Sequence, residues 1–70
     1  MNAAERYALK EAVAKRRKDE PFEKALGRTM RTLGHDYEAY IQVIARVREL
    51  AKSRKIALDE AALALASEEV

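Results

Sequence analysis

Hydrophobic residues recur at helical spacing in four segments of the chain, and no segment alternates apolar and polar residues as a strand does. The segments cover about residues 3–18, 21–33, 37–53 and 59–67. This pattern predicts an all-α fold, a small bundle of four helices. A chain of 70 residues has room for one domain, so we expect residues 1–70 to form a single helical unit.

Residues 37–53 carry the strongest helical pattern. The apolar stripe along this segment consists of Tyr37, Tyr40, Ile41, Ile44, Val47 and Ala51, and is widened by Val43 and Leu50. A stripe this broad requires more than one neighbouring helix, so we predict that residues 37–53 form the central helix. Aromatic residues interleaved with basic ones can stack on nucleic-acid bases, which makes Tyr37 and Tyr40 candidates for base stacking. Because both tyrosines fall on the apolar stripe, we expect instead that their rings pack in the core with the hydroxyls at its rim.

Residues 21–33 predict a second amphipathic helix with well-marked ends. Pro21 suits the first helical position, Gly34 suits a left-handed helix end, and Asp36 suits the N-cap of the next helix. The short link between the two helices makes them antiparallel neighbours. Gly27, inside the helix, marks a place where another helix crosses closely.

The first and last segments have less regular patterns. Apolar side chains of residues 3–18 lie on opposite sides, so this segment is either a loosely docked N-terminal arm or a helix pinned between two surfaces. Asp59 is the expected N-cap of the last helix, with Leu58 and Leu63 as a hydrophobic staple. The last helix is apolar on all sides, and such a helix is normally buried.

The shortness of the chain suggests that a second chain covers this apolar surface. Hydrophobic residues make up 49% of the sequence, many of them alanine, and domains of this size are marginally stable alone. We therefore predict a homo-oligomer, or a subunit of a larger assembly. The candidate interface residues are Tyr40, Ile44, Val47, Leu58, Ala62, Leu63 and Leu65.

Charge is distributed unevenly along the chain. The formal net charge is +2, and the positive excess lies in the first half. The candidate contacts to a phosphate backbone are Lys15, Arg16, Arg17, Lys18, Lys24, Arg28 and Arg31. The last three share one face of the predicted second helix. Glu20 and Glu23 are close enough in sequence to neutralise part of this surface.

The amino-acid composition excludes several kinds of functional site. With no Cys and one His, the chain cannot form a disulfide scaffold or a zinc site of the Cys/His type. No catalytic or phosphate-loop motif is present, so we expect no enzymatic activity, cofactor or small-molecule substrate. The lack of a long apolar run or a signal-like start predicts a cytoplasmic protein without membrane contacts. Sparse Asn and Gln beside abundant Glu, Lys and Arg resemble thermophile composition.

Two functions follow from these patterns. The first is a non-enzymatic helical interaction module that acts through self-association or a protein partner. The alternative is a nucleic-acid-binding accessory or regulatory protein that uses the basic surface of the first two helices.

Overall fold

The computed structural model describes residues 1–67, which form four α-helices and no strand. The helices are α1 (Ala3–Lys15), α2 (Phe22–Thr32), α3 (Tyr37–Arg54) and α4 (Leu58–Ser67). The predicted all-α fold, a small four-helix bundle, is confirmed. None of these described helices combines the length and the apolar character that crossing a membrane requires.

The core lies where the four helices face one another. α1 packs against α2 and α4, and α3 packs against the same two helices. The four helices are therefore arranged around the core in the order in which they occur along the chain. The largest fully buried side chains are Leu9, Leu26, Met30, Val43, Ile44 and Val47. α1 and α4 pack against each other, and both helices contribute buried alanines, whose small side chains permit close approach: Ala8, Ala12, Ala61 and Ala62.

α1 is a packed helix and not a loosely docked arm. Ala8, Leu9 and Ala12 are fully buried, and the helix contacts α2 on one side and α4 on the other. The helix ends at Lys15, three residues earlier than predicted. Arg16 has an extended backbone, and its guanidinium donates to the Asp59 carboxylate at 2.9 Å, so the chain leaves the helix there.

α4 is covered by its own chain, which removes the argument for a covering partner. Ala61, Ala62, Leu65 and Ala66 are buried, and the helix packs against α1 and α3. Leu63 points away from the core and is 44% exposed. The sequence of α4 looks apolar on all sides because alanines occupy both the buried and the partly exposed sides of this helix.

Most of the residues expected at an oligomer interface lie inside the single chain. Four of them are buried: Ile44, Val47, Ala62 and Leu65. A side chain in this position cannot contact a second chain unless the bundle opens. Tyr40 and Leu58 are half-buried against the same core, and Leu63 is exposed.

The turn between α2 and α3 forms as the sequence predicts. Gly34 has a φ of 90°, in the left-handed region that glycine tolerates. The Asp36 carboxylate accepts a hydrogen bond from the Ala39 N–H at 2.8 Å and caps α3. The His35 N–H donates to the Met30 carbonyl at 2.9 Å, which closes the end of α2.

Two helix starts differ by one residue from the prediction. Pro21 is the N-cap of α2, so the first helical residue is Phe22. α4 begins at Leu58, which places Asp59 in its first turn and removes the predicted staple between Leu58 and Leu63. The Asp59 carboxylate pairs with Arg16.

Candidate functional site

A surface groove of about 550 Å³ lies between α2 and the beginning of α3. We call it the α2–α3 groove, and it is lined by Lys24, Gly27, Arg28, Met30, Arg31, Thr32, His35, Asp36, Tyr37 and Tyr40. Three cationic side chains at positions i, i+4 and i+7 come from one face of α2. Seven residues of helix separate the Lys24 and Arg31 backbones by about 10 Å. The predicted cationic face of the second helix therefore opens into a groove.

Two tyrosines at the start of α3 form the opposite wall of the groove. Tyr37 is 75% exposed, and Tyr40 beside it is half-buried. Their ring centroids are 6.0 Å apart and the ring planes are tilted by 32°. The Tyr40 hydroxyl donates to the Glu23 carbonyl at 3.2 Å, and burial raises the pKa of this hydroxyl. The Tyr40 ring is therefore held in place by its hydrogen bond, and the neighbouring Tyr37 ring is accessible to a ligand.

The prediction that Tyr37 packs in the core is wrong. The buried face of α3 consists of Val43, Ile44, Val47 and Ala51. Tyr37 lies at one edge of that face, as does Ile41 one turn further on, which is 41% exposed. Helical periodicity places a residue on a side of the helix, but burial also requires a neighbouring helix alongside it.

The turn after α2 closes one end of the groove. His35 and Asp36 both line it, and Met30 contributes a buried apolar floor. The Asp36 carboxylate is the one acidic group of the lining, and it already accepts the capping N–H of Ala39. The groove therefore offers cations along α2, an aromatic face along α3 and one carboxylate at the turn.

Arg28 is the groove cation that is already paired. Its guanidinium donates two hydrogen bonds to the buried Glu20 carboxylate, at 2.7 and 3.3 Å. The same carboxylate accepts the Arg17 N–H at 3.1 Å. Arg28 first, and then the Arg17 N–H, hold the pKa of Glu20 below its usual value. Among residues 1–67, Lys24 and Arg31 have no ion-pair partner, so their charges remain available.

A second depression, of about 330 Å³, adjoins the groove at the start of α2. Lys24 lines both depressions. The second depression also contains Arg17 and Lys18, together with the acidic residues Asp19 and Glu20. Arg17 and Lys18 therefore continue the cationic surface beyond the groove.

The two remaining predicted cations belong to ion pairs elsewhere. Lys15 pairs with Glu11 at 2.8 Å, and this carboxylate raises the pKa of Lys15. Arg16 pairs with Asp59 at 2.9 Å. Neither cation lines a depression described above, so the seven predicted cations do not form one continuous surface.

The sequence identified Lys24, Arg28 and Arg31 as one cationic face but placed Tyr37 in the core, and it did not indicate that Tyr37 and these cations line one groove. The acidic neighbour Glu20 does neutralise one cation, Arg28, whereas Glu23 pairs with Arg48 on α3 at 3.6 Å. The signal that could have found Tyr37 is its place in the first turn of a helix directly after a short link. A side chain there has few neighbours.

No metal site accompanies the groove: among residues 1–67, no three His, Asp or Glu side chains come close enough to hold a metal ion. Comparisons with protein-family models, with curated proteins and with solved structures find no match to this chain.

Proposed function

We propose that this protein binds nucleic acid through the α2–α3 groove. The observation that carries the proposal is the groove lining, in which Lys24 and Arg31 on one helix face stand opposite the exposed ring of Tyr37. Lysine and arginine contacts to phosphates supply most of the affinity of proteins for nucleic acid, without sequence information. Arg17 and Lys18 add cations beside the groove.

The formal charge of the chain agrees with this proposal. The chain has a net charge of +2, which favours approach to a polyanion. Arg28 contributes less to this attraction because Glu20 offsets its charge at 2.7 Å. We therefore assign the phosphate contacts mainly to Lys24 and Arg31.

Oligonucleotide binding measured over a series of salt concentrations tests the proposal. For a single strand, the logarithm of the binding constant falls with the logarithm of salt by about 0.7 for each phosphate contacted. Arg31→Gln is expected to weaken binding and to reduce this slope by about 0.7. No binding at low salt to single-stranded or duplex DNA or RNA would contradict the proposal.

Arg54→Gln is the matched control for Arg31→Gln. Both arginines are exposed and lie in the last turn of a helix, so their substitutions change the helix dipole interaction similarly. Arg54 lies at the end of α3 distant from Tyr37 and does not line the groove. Equal loss of binding in the two variants would show that overall charge, and not the groove, is responsible.

Self-association is the second candidate, and the exposure of Leu63 on α4 favours it. The single chain covers most of its apolar surface, so a partner would add contacts at the surface and would not complete the core. Light scattering across a concentration series tests this candidate. A monomer at every concentration would rule out a homo-oligomer in solution.

A further inference from the structure

Phosphate binding alone does not account for the aromatic wall of the α2–α3 groove. Tyr37 is 75% exposed, although burying an aromatic ring normally stabilises a fold. Tyr40 stands behind it at 6.0 Å and is itself held by its hydrogen bond to the Glu23 carbonyl. Tyr37 is therefore a supported aromatic surface that faces a groove rather than the core.

We propose that the groove takes single-stranded nucleic acid, with one unpaired base stacked on Tyr37 and the neighbouring phosphates on Arg31 and Lys24. This inference rests on the nucleic-acid binding proposed above and specifies its form. Aromatic side chains beside a cationic groove are the combination by which proteins bind single strands without sequence preference.

The size and lining of the groove favour an unpaired base over a duplex. The face of a base is accessible to a tyrosine ring only when the base leaves the stack of its neighbours. A groove of about 550 Å³ has the size of a small-ligand site. The apolar floor at Met30 and the partly buried ring of Tyr40 suit a planar base more than a sugar-phosphate backbone.

The charges around the groove set the path of the strand. The Asp36 carboxylate lies at the turn beside Tyr37 and repels phosphates there. In the other direction, Lys24 leads to the second depression, which contains Arg17 and Lys18 together with Asp19 and Glu20. Glu20 is paired with Arg28, so the cations there outnumber the remaining carboxylate. The backbone of the strand therefore leaves the groove along α2 towards its N-terminal end.

The experiment compares three ligands of equal length, which are a single strand, a duplex and a single strand of abasic sites. The free mononucleotide is measured as a fourth ligand. We expect the intact single strand to bind roughly tenfold tighter than the abasic strand, the scale that stacking of one base supplies. Tyr37→Ala should remove this difference by weakening the intact strand and leaving the abasic strand unchanged. Tyr37→Phe keeps an aromatic ring and should retain the affinity difference between the intact and the abasic strand. Tyr37→Leu has no aromatic ring and should lose this difference.

Tyr7→Ala is the matched control, because Tyr7 is another exposed tyrosine, lies on α1 and does not line the groove. Because Tyr37 is exposed, its variants should fold as the wild type does, and circular dichroism of each variant checks this. Tyr37→Trp adds a direct readout, since the chain has no other tryptophan. Its fluorescence should be quenched by the single strand and not by the abasic strand.

The outcomes separate this inference from the proposed function. Equal binding of intact and abasic strands, with the loss in Arg31→Gln retained, overturns base stacking and leaves phosphate binding in place. Duplex binding as tight as single-strand binding also overturns it. A mononucleotide that binds as tightly as the strand replaces the inference with a nucleotide site. Binding of none of these ligands overturns both proposals.

Discussion

The Arg28 guanidinium donates two hydrogen bonds to the Glu20 carboxylate, with N–O distances of 2.7 and 3.3 Å. Glu20 lies in the link between α1 and α2, and its carboxylate also accepts the Arg17 N–H. Its carbonyl accepts a hydrogen bond from Arg16 at 2.9 Å. This one residue therefore fixes how the chain turns from α1 into α2, and it holds Arg28 at the side of the α2–α3 groove.

Glu20→Gln is expected to destabilise the protein at neutral pH and to reduce its loss of stability in acid. The pKa of Glu20 is lowered from 4.5 in the folded state, chiefly by Arg28, so the ionised carboxylate favours folding. This contribution is present above pH 4.5 and is lost as the pH falls towards the lower pKa of the folded state. The measurement is the free energy of unfolding by urea at several pH values.

Glu49→Gln is the control for that experiment, since Glu49 is exposed and has no ion pair among the described residues. The stability difference between wild type and Glu20→Gln should shrink as the pH falls from 7 to 3. A difference that stays constant would show that the charge on Glu20 contributes nothing.

Leu9→Ala and Leu63→Ala should have very different effects. Leu9 is fully buried in α1, and removing a buried leucine side chain costs about 2–5 kcal/mol. Leu63 is exposed on α4, so its truncation should change the free energy of unfolding by less than about 0.5 kcal/mol. Urea unfolding of both variants at two protein concentrations measures this. A large, concentration-dependent loss in Leu63→Ala would reveal a covering partner.

The two glycines should respond to alanine in opposite directions. A Cβ atom on Gly27 would lie 3.6 Å from Tyr40 Cε1, an ordinary contact, so Gly27→Ala should stabilise α2 by about 0.5–1 kcal/mol. Gly34 has a φ of 90°, where alanine is strained, so Gly34→Ala should destabilise by about 1 kcal/mol or more. Thermal unfolding of both variants checks the signs. A loss in Gly27→Ala would mean that the crossing at Tyr40 is tighter than the distance indicates.

Tyr40 should make the protein sensitive to alkaline pH. Burial raises the pKa of Tyr40 above its usual 10.0, so the unfolded chain loses this proton first. The stability that Tyr40 contributes is therefore present below pH 10.0 and is lost as the pH rises through the higher pKa of the folded state. Tyr40→Phe should flatten this part of the stability curve relative to wild type, with Tyr7→Phe as the control. Parallel curves for wild type and Tyr40→Phe would contradict the assignment.

The sequence predicted the features that depend on a few neighbouring residues. Gly34 and Asp36 end one helix and start the next as expected, because the left-handed backbone and the side-chain cap are local. The pattern of residues 21–33 likewise predicted an amphipathic helix, and Phe22, Leu26 and Met30 form its buried face. Interactions between neighbouring residues were sufficient to predict these elements.

Features that depend on packing between distant segments could not be predicted. Arg16 and Asp59 are 43 positions apart, and no spacing rule joins them. Tyr37 shares its side of α3 with core residues and is nevertheless exposed, since no helix covers that edge. α4 is covered by α1 and α3, and the pattern of α1 is too irregular to indicate which helices it contacts.

The side-by-side packing of α1 and α4 bears on how the chain folds during synthesis. α1 is made first, yet one of its two neighbours is the last helix of the bundle. The part of α1 that α4 covers therefore stays open to water until residues 58–67 have been synthesised. Contacts between segments so far apart in sequence form slowly compared with a local hairpin of helices. A nascent chain that pauses before α4 is made exposes the apolar surface of α1. Aggregation is therefore most to be expected during such a pause.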